Sequence, residues 1–265
     1  MYSSTQIIIK YFRYYFKALN GKGHGIHSPF VYEWVDKIQN DKTHYEEYHK
    51  IESQRSNLLK NKNVIEVRDF GAGSTQMKSS SRKISDIARN SLKSPKYGQL
   101  LFRIVRRFKP RIIFDLGTSL GITTAYLASA NPGAKIITFE GADEVAGIAK
   151  DQFGKLSLNN IVLVPGNMDQ TLGKMVSETD IIDFAFIDGN HRKEAVLSYF
   201  NLLMEKCGPA SIIVLDDIHW SREMEEAWVN IKGDGRVKFT IDLFFIGIVF
   251  FREEFLVKQD FVIRF

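Results

Sequence analysis

Residues 111–121 read RIIFDLGTSLG. A short apolar run ends in an acid, and a loop with glycines four apart follows. The helical pattern of 121–130 comes next. The run KIITFE (135–140) then ends on Glu140, 23 residues after Gly117. A buried strand, a glycine turn, a helix start and an acid-tipped second strand are the parts of a nucleotide-binding β–α–β unit. Loop N–H groups and the helix N-terminus meet negative charge, and the acid meets ribose hydroxyls. A second glycine loop, DFGAGST (69–75), follows NVIEV but lacks this sequel. Twenty or so residues on stands LKSPK (92–96), not an acid-tipped strand. That loop reads as a turn of the preceding segment, or as a lid over the pocket.

Working outward, the same texture repeats. The apolar runs NIVLV (160–164), IDFAFID (182–188) and SIIVLDD (211–217) alternate with helical patterns over 143–156, 168–178, 191–206 and 221–232. Near-continuous apolar strands separated by amphipathic helices mean a parallel sheet covered on both faces. RVKFTIDLFFIGIVFF (236–251) reads as two strands and a short turn, an antiparallel addition.

Before residue 110 the chain reads as mainly helical: 3–19, 28–39, 43–59 (opened by a Thr43/Glu46 capping box), 84–92 and a helix from Pro95 to the region of Pro110. The expected division is a helical region, 1–109, and a cofactor-binding domain, 110–265. Residues 1–111 hold 22 Lys/Arg and 9 Asp/Glu, net +13, whereas 112–265 hold 14 and 22, net −8. The basic half packs on the acidic half, or faces an anionic substrate, nucleic acid or membrane. Ile7, Ile8, Tyr11, Phe12, Tyr15, Phe16 and Leu19 recur near helical spacing among Lys10, Arg13 and Lys17. That helix packs on its own protein, joins a homodimer, or lies on a membrane.

The one cysteine, Cys207, at the end of the 191–206 helical pattern, excludes an internal disulfide and fits a reducing compartment. No apolar run reaches the ~18 residues that span a bilayer. The N-terminus lacks the pattern of a secretory signal, so a soluble, cytoplasmic protein is expected.

Gly117 and Gly121 are spaced G-x-x-x-G. Ser119 stands where the dinucleotide fingerprint has the glycine that lets backbone approach a pyrophosphate. A site with a ribose-binding acid but no pyrophosphate pocket suits S-adenosylmethionine. Its carboxylate would meet loop N–H groups and the Thr123 hydroxyl, Glu140 would hold the ribose, and Asn167 and Met168 in GNMD (166–169) would lie by the adenine. Asp115 at the head of the loop and Asp188 complete the candidate cofactor contacts.

Asp188 ends the fourth strand of the α/β pattern, and Asp216 and Asp217 end the fifth. In a parallel sheet those ends open on the ligand crevice. Converging carboxylates need protons or a cation, and Mg²⁺ suits hard oxygen ligands. Alternatively Asp188 is a plain feature of the fold and Asp217 caps the next helix. His191 is a candidate general base, or a helix-start histidine bonded to backbone. His219 is an alternative base or ligand, and Trp220 could stack on a flat acceptor or cover the next helix. His24 and His27 read as local packing.

Taken together, FDLGTSLGITT, IITFE, VPGNMD, AFIDGNH and IIVLDD resemble the class I S-adenosylmethionine-dependent methyltransferases, and most of all the O-methyltransferases of the catechol and caffeoyl-coenzyme A type. The resemblance covers about 110–251. It implies a doubly wound, Rossmann-like, seven-stranded, mostly parallel α/β sheet with the last strand antiparallel. It implies a metal held by acids at the positions of Asp188 and Asp216 and an asparagine where this chain has Asp217. It also implies a lysine base at the position of His191. The expected function is methyl transfer to an oxygen of a small or medium-sized molecule, metal-assisted if the acids bind an ion. A nucleic-acid methyltransferase, a nicotinamide-dependent oxidoreductase and a non-catalytic cofactor-binding protein stay open as alternatives.

Overall fold

A computed structural model describes residues 1–22, 28–67 and 81–265. The 69–75 loop, His24 and His27 lie outside the described residues. The chain forms two compact units: residues 1–41 with 179–265, and residues 42–178. This division does not follow the 109/110 boundary, because helices on both sides of that point pack together.

The first unit opens with α1 (Ser4–Lys17) and α2 (Pro29–Trp34), which runs into a π-helical turn, Val35–Gln39. Ser28 caps α2 with Pro29 at its first position, as the sequence predicts. The second unit holds α3 (Glu46–Lys60), β1 (Val64–Glu66), β2 (Ser81–Lys83), α4 (Ile84–Ser91) and α5 (Pro95–Phe108). Then follow β3 (Ile112–Leu116), α6 (Ile122–Ala130), β4 (Lys135–Glu140), α7 (Asp143–Lys155), β5 (Ile161–Pro165) and α8 (Met168–Ser177). The first unit resumes with β6 (Ile182–Ile187), α9 (Lys193–Met204), β7 (Cys207–Asp216), α10 (Arg222–Gly233), β8 (Phe239–Asp242), β9 (Ile246–Phe250) and β10 (Gln259–Val262).

The fold is mixed α/β with mostly parallel strands. In the second unit β4 pairs in parallel with both β3 and β5, with Ile113 opposite Ile136 and Ile137 opposite Val162. Helix α6 is apolar almost all round and is accordingly buried on nearly every side. Helix α5 comes close to it at Gly98, where a Cβ would stand 2.6 Å from the Tyr126 ring. The Tyr126 hydroxyl donates to Glu52 of α3 at 2.7 Å, so α3, α5 and α6 form one block.

In the first unit β6 and β7 are parallel, β9 runs antiparallel to both β7 and β8, and β10 lies parallel to β8. The predicted antiparallel closure is β9. Strand β10 is an addition that the seven-strand expectation does not contain. Gly247 in β9 lets the Trp228 ring approach the strand closely, since a Cβ there would meet it at 2.8 Å.

Two local expectations are corrected. Helix α3 begins at Glu46 behind Tyr45, with no side-chain cap, so Thr43 and Glu46 form no capping box. Cys207 is the first residue of β7, not the end of a helix, because its backbone pairs with Ile182 across an irregularity in the β6–β7 ladder. Burial pushes its thiol pKa up to about 12, away from reactivity. Among the described residues no helix is long and apolar enough to cross a membrane.

Candidate functional site

The second unit carries the glycine turn. β3 delivers Asp115 to a fully buried position, and the chain then turns through Gly117 (φ 120°), Ser119 (φ 48°) and Gly121 (φ 83°). Gly121 is required twice over. Its φ disfavours a side chain, and a Cβ would stand 2.7 Å from the Phe153 ring of α7. Helix α6 starts behind it with no side-chain cap and no acid in its first turn. Its N-terminal N–H groups and positive dipole end are therefore left to solvent or a ligand. Thr123 lies buried in that first turn.

The turn is tied to the ends of β4 and β5. Ser119 N–H donates to Glu140 Oε2 at 2.8 Å, and Ala142 N–H donates to Glu140 Oε1 at 3.0 Å. The Gly166 N–H donates to the Glu140 carbonyl at 2.9 Å, bringing the start of GNMD to the same point. Asn167 caps α8 by accepting from Asp169 N–H at 3.0 Å, and Met168 opens that helix. Ser119 and Gly166, the residue before Asn167 and Met168, are thus both bonded to Glu140, one at its carboxylate and one at its carbonyl.

Asp115 supports this turn from beneath. Its Oδ2 accepts from Thr124 at 2.6 Å and from Thr138 at 2.8 Å. The single proton of Thr138 goes to Asp115, so at the 2.6 Å Thr118–Thr138 contact Thr118 is the donor. Asp115 Oδ1 is buried and accepts no hydrogen bond. Burial raises its pKa to about 6; the two threonine bonds work against the shift and Glu140 adds to it. Sequence reasoning missed the threonine ladder and the Ser91 hydroxyl, 2.8 Å from that of Ser119. A lone threonine inside the apolar run KIITFE is the signal that could have found the ladder.

The first unit carries the acids. Asp188, His191 and Asp216 each offer a ligand atom within 4.8 Å of the others; Asp216 is buried and the other two half-buried. His191 Nε2 stands 3.7 Å from Asp188 Oδ1, and the Trp220 ring lies 5.5 Å from the His191 ring. Two converging carboxylates are hard oxygen donors that a divalent ion fits, with the His191 imidazole beside them. Asp217 is not part of this trio. It takes φ 52°, and its carbonyl accepts from Trp220 N–H at 2.9 Å, closing the turn before α10. Ser221, not Asp217, caps that helix.

His219 is engaged elsewhere. Its Nε2 lies 2.9 Å from Asp242 Oδ2 and its Nδ1 3.1 Å from Glu225 Oε1. Burial disfavours its charge, but the bonds and charges of Asp242 and Glu225 prevail and raise its pKa. Both nitrogens of His219 are thus engaged by carboxylates, and its partners favour the protonated ring.

A parallel β–α–β unit with a glycine turn and an acid-tipped second strand defines the Rossmann-like class of cofactor-binding folds. Within that class, residues 114–218 match the family model described as a methyltransferase domain. The Mycobacterium tuberculosis protein named "Probable O-methyltransferase Rv1703c" is 30% identical over 130 residues, 46% of this chain and 55% of that protein. Catechol O-methyltransferase of Mus musculus is 25% identical over 128 residues, 46% of this chain and 47% of the enzyme. The chain thus aligns with about half the length of the curated relatives it matches. The crystal structure of an O-methyltransferase from Bacillus cereus in complex with SAH aligns with a TM-score of 0.56 at 19% identity, covering 83% of this chain and 97% of that one. The resemblance read from the sequence holds as far as the comparisons reach: residues 114–218 match a methyltransferase domain, and the chain is similar to O-methyltransferases, those acting on catechol among them.

Proposed function

We propose that the protein is an S-adenosylmethionine-dependent methyltransferase that methylates an oxygen of a small or medium-sized molecule, assisted by a divalent ion such as Mg²⁺. The observation that carries the reading is the bond from Ser119 N–H to Glu140. It locks a turn lacking the pyrophosphate glycine onto the acid that tips the second strand, where ribose hydroxyls would lie. The likeness to catechol O-methyltransferases supports the choice of oxygen as acceptor atom.

The cofactor, when bound, supplies an electrophilic methyl group, and the ion supplies Lewis acidity toward the acceptor oxygen. The chain's own residues do the rest. The turn at 117–121 and the α6 N-terminus bind the amino-acid end, Glu140 the ribose, and Asn167 and Met168 flank the adenine. Asp188 and Asp216 are the hard oxygen ligands for the ion, with Asp217 as a further acid nearby in sequence. His191 takes the proton of the acceptor hydroxyl, with Asp188 orienting it and Trp220 offering a flat surface to the acceptor.

The test is formation of S-adenosylhomocysteine on a panel of acceptors with adjacent hydroxyls, catechol among them, with Mg²⁺ or with chelator. Turnover that needs the ion, disappears in Asp188→Ala and falls about 100- to 10,000-fold in His191→Gln is expected. Ion-independent turnover unchanged in Asp188→Ala would refute the metal role. Binding of NAD in place of S-adenosylmethionine would refute the whole reading.

A further inference from the structure

Helix α1 has two apolar faces. Tyr11 and Tyr14 on the inner face pack on Phe244, and Tyr11 also on Phe245, with Ile7 and Ala18 in the same cluster. The helix is fixed at both ends. Tyr2 and Lys10 donate to the Glu225 carboxylate at 2.7 and 2.9 Å. Leu19 N–H donates to the Val262 carbonyl, and Arg264 Nε to the Tyr15 carbonyl.

The outer face is apolar as well. Phe16 is 76% exposed, Phe12 56%, Ile8 54% and Ile9 47%. Positions 8, 12 and 16 recur every fourth residue, with 9 beside them, so they make one stripe. An apolar stripe turned outward on a helix whose inner face is already packed marks an interaction surface. Cations border the stripe. Arg13 and Lys17 are exposed along one edge, and the Arg264 guanidinium sits 4.5 Å over the Tyr15 ring at the other. Residues 1–32 contain Lys10, Arg13, Lys17 and Lys22 and no Asp or Glu.

We propose that the outer face of α1 docks on an anionic lipid bilayer. The helix lies flat, with Phe12 and Phe16 at the boundary of headgroups and acyl chains and Arg13, Lys17 and Arg264 at lipid phosphates. A second copy of the chain fits less well. The stripe offers roughly 500 Å² of apolar surface for side chains of this size, short of the about 800 Å² per partner of a stable interface. Two acid-free helices would also bring cations against cations. The inference does not rest on the methyl-transfer reading.

Co-sedimentation of the full chain with vesicles tests it, using phosphatidylcholine alone and phosphatidylcholine mixed with phosphatidylglycerol. Binding is expected on the mixed vesicles, far weaker on the neutral ones, and falling as salt rises. The double variant Phe12→Ser/Phe16→Ser should lose at least about tenfold in affinity. Arg13→Gln/Lys17→Gln should lose about fivefold per cation. All four side chains are exposed, so both variants should keep the wild-type thermal midpoint. No binding to mixed vesicles, or binding that neither variant weakens, would overturn the proposal. So would a two-copy mass in solution that Phe12→Ser/Phe16→Ser converts to one copy, since it would assign the face to a second subunit.

Discussion

The N–H of Ser119 and the carboxylate of Glu140 meet at 2.8 Å, and Ser119 takes φ 48° to make that bond. A left-handed serine costs about 1 kcal/mol, so the bond holds the turn in a form it would otherwise leave. Removing the carboxylate should free the turn and delete the ribose contact together. Glu140→Ala is expected to bind S-adenosylhomocysteine about 10- to 100-fold more weakly by calorimetry, the loss of one or two hydrogen bonds to a charged group. Unchanged affinity would remove Glu140 from the site.

Gly121 carries the helix start and the contact with α7. In Gly121→Ala the new methyl meets the Phe153 ring at 2.7 Å in a backbone conformation that disfavours any side chain. A stability loss of about 2–3 kcal/mol should appear as a lower urea midpoint with an unchanged slope.

Asp115 makes stability depend on pH in an unusual sense. Its folded pKa, about 6, lies above its ordinary 3.8, so the folded state holds the proton more tightly. Its stabilising contribution is complete below the unfolded value and is lost as pH rises through the folded one. The two-unit gap corresponds to about 3 kcal/mol. Stability measured for wild type relative to Asp115→Asn should therefore decline by that order between those two pH values. A flat difference would mean that Asp115 titrates normally.

His219 and His191 should separate cleanly. The raised pKa of His219 stabilises the fold fully below its ordinary value of 6.5, and that support fades as pH rises through the higher folded value. His219→Gln leaves Asp242 and Glu225 short of a cation and should cost about 2–4 kcal/mol at the acid end, less in alkali. Cofactor affinity should not move. His191→Gln should do the reverse, with an intact urea midpoint, retained Mn²⁺ binding by paramagnetic resonance and depressed turnover.

The strands of the α/β pattern are legible because RIIFDL, KIITFE and IDFAFID are apolar runs of strand length bounded by turn residues and helical periods. The glycine turn and Glu140 are legible together because a β–α–β unit fixes the separation of Gly117 from Glu140, but the bond from Ser119 N–H to Glu140 is not. Other features depend on partners far along the chain. Nothing near His219 announces Asp242, which arrives from β8, 23 positions later. Cys207 belongs to β7 only because Ile182 pairs with it. The short alternating segment QDFV becomes β10 through its ladder with FTID. Asp217 looks equivalent to Asp216 in sequence, yet the strand ends between them and the positive φ of Asp217 sets them apart.

Isothermal titration of the full chain with S-adenosylhomocysteine, and separately with NAD, tests the central claim most directly. One-to-one binding of S-adenosylhomocysteine in the micromolar range or tighter, with no heat from NAD, is the predicted result. Heat from NAD alone, or from neither ligand, would contradict a methyl-donor site built on the turn at 117–121 and Glu140.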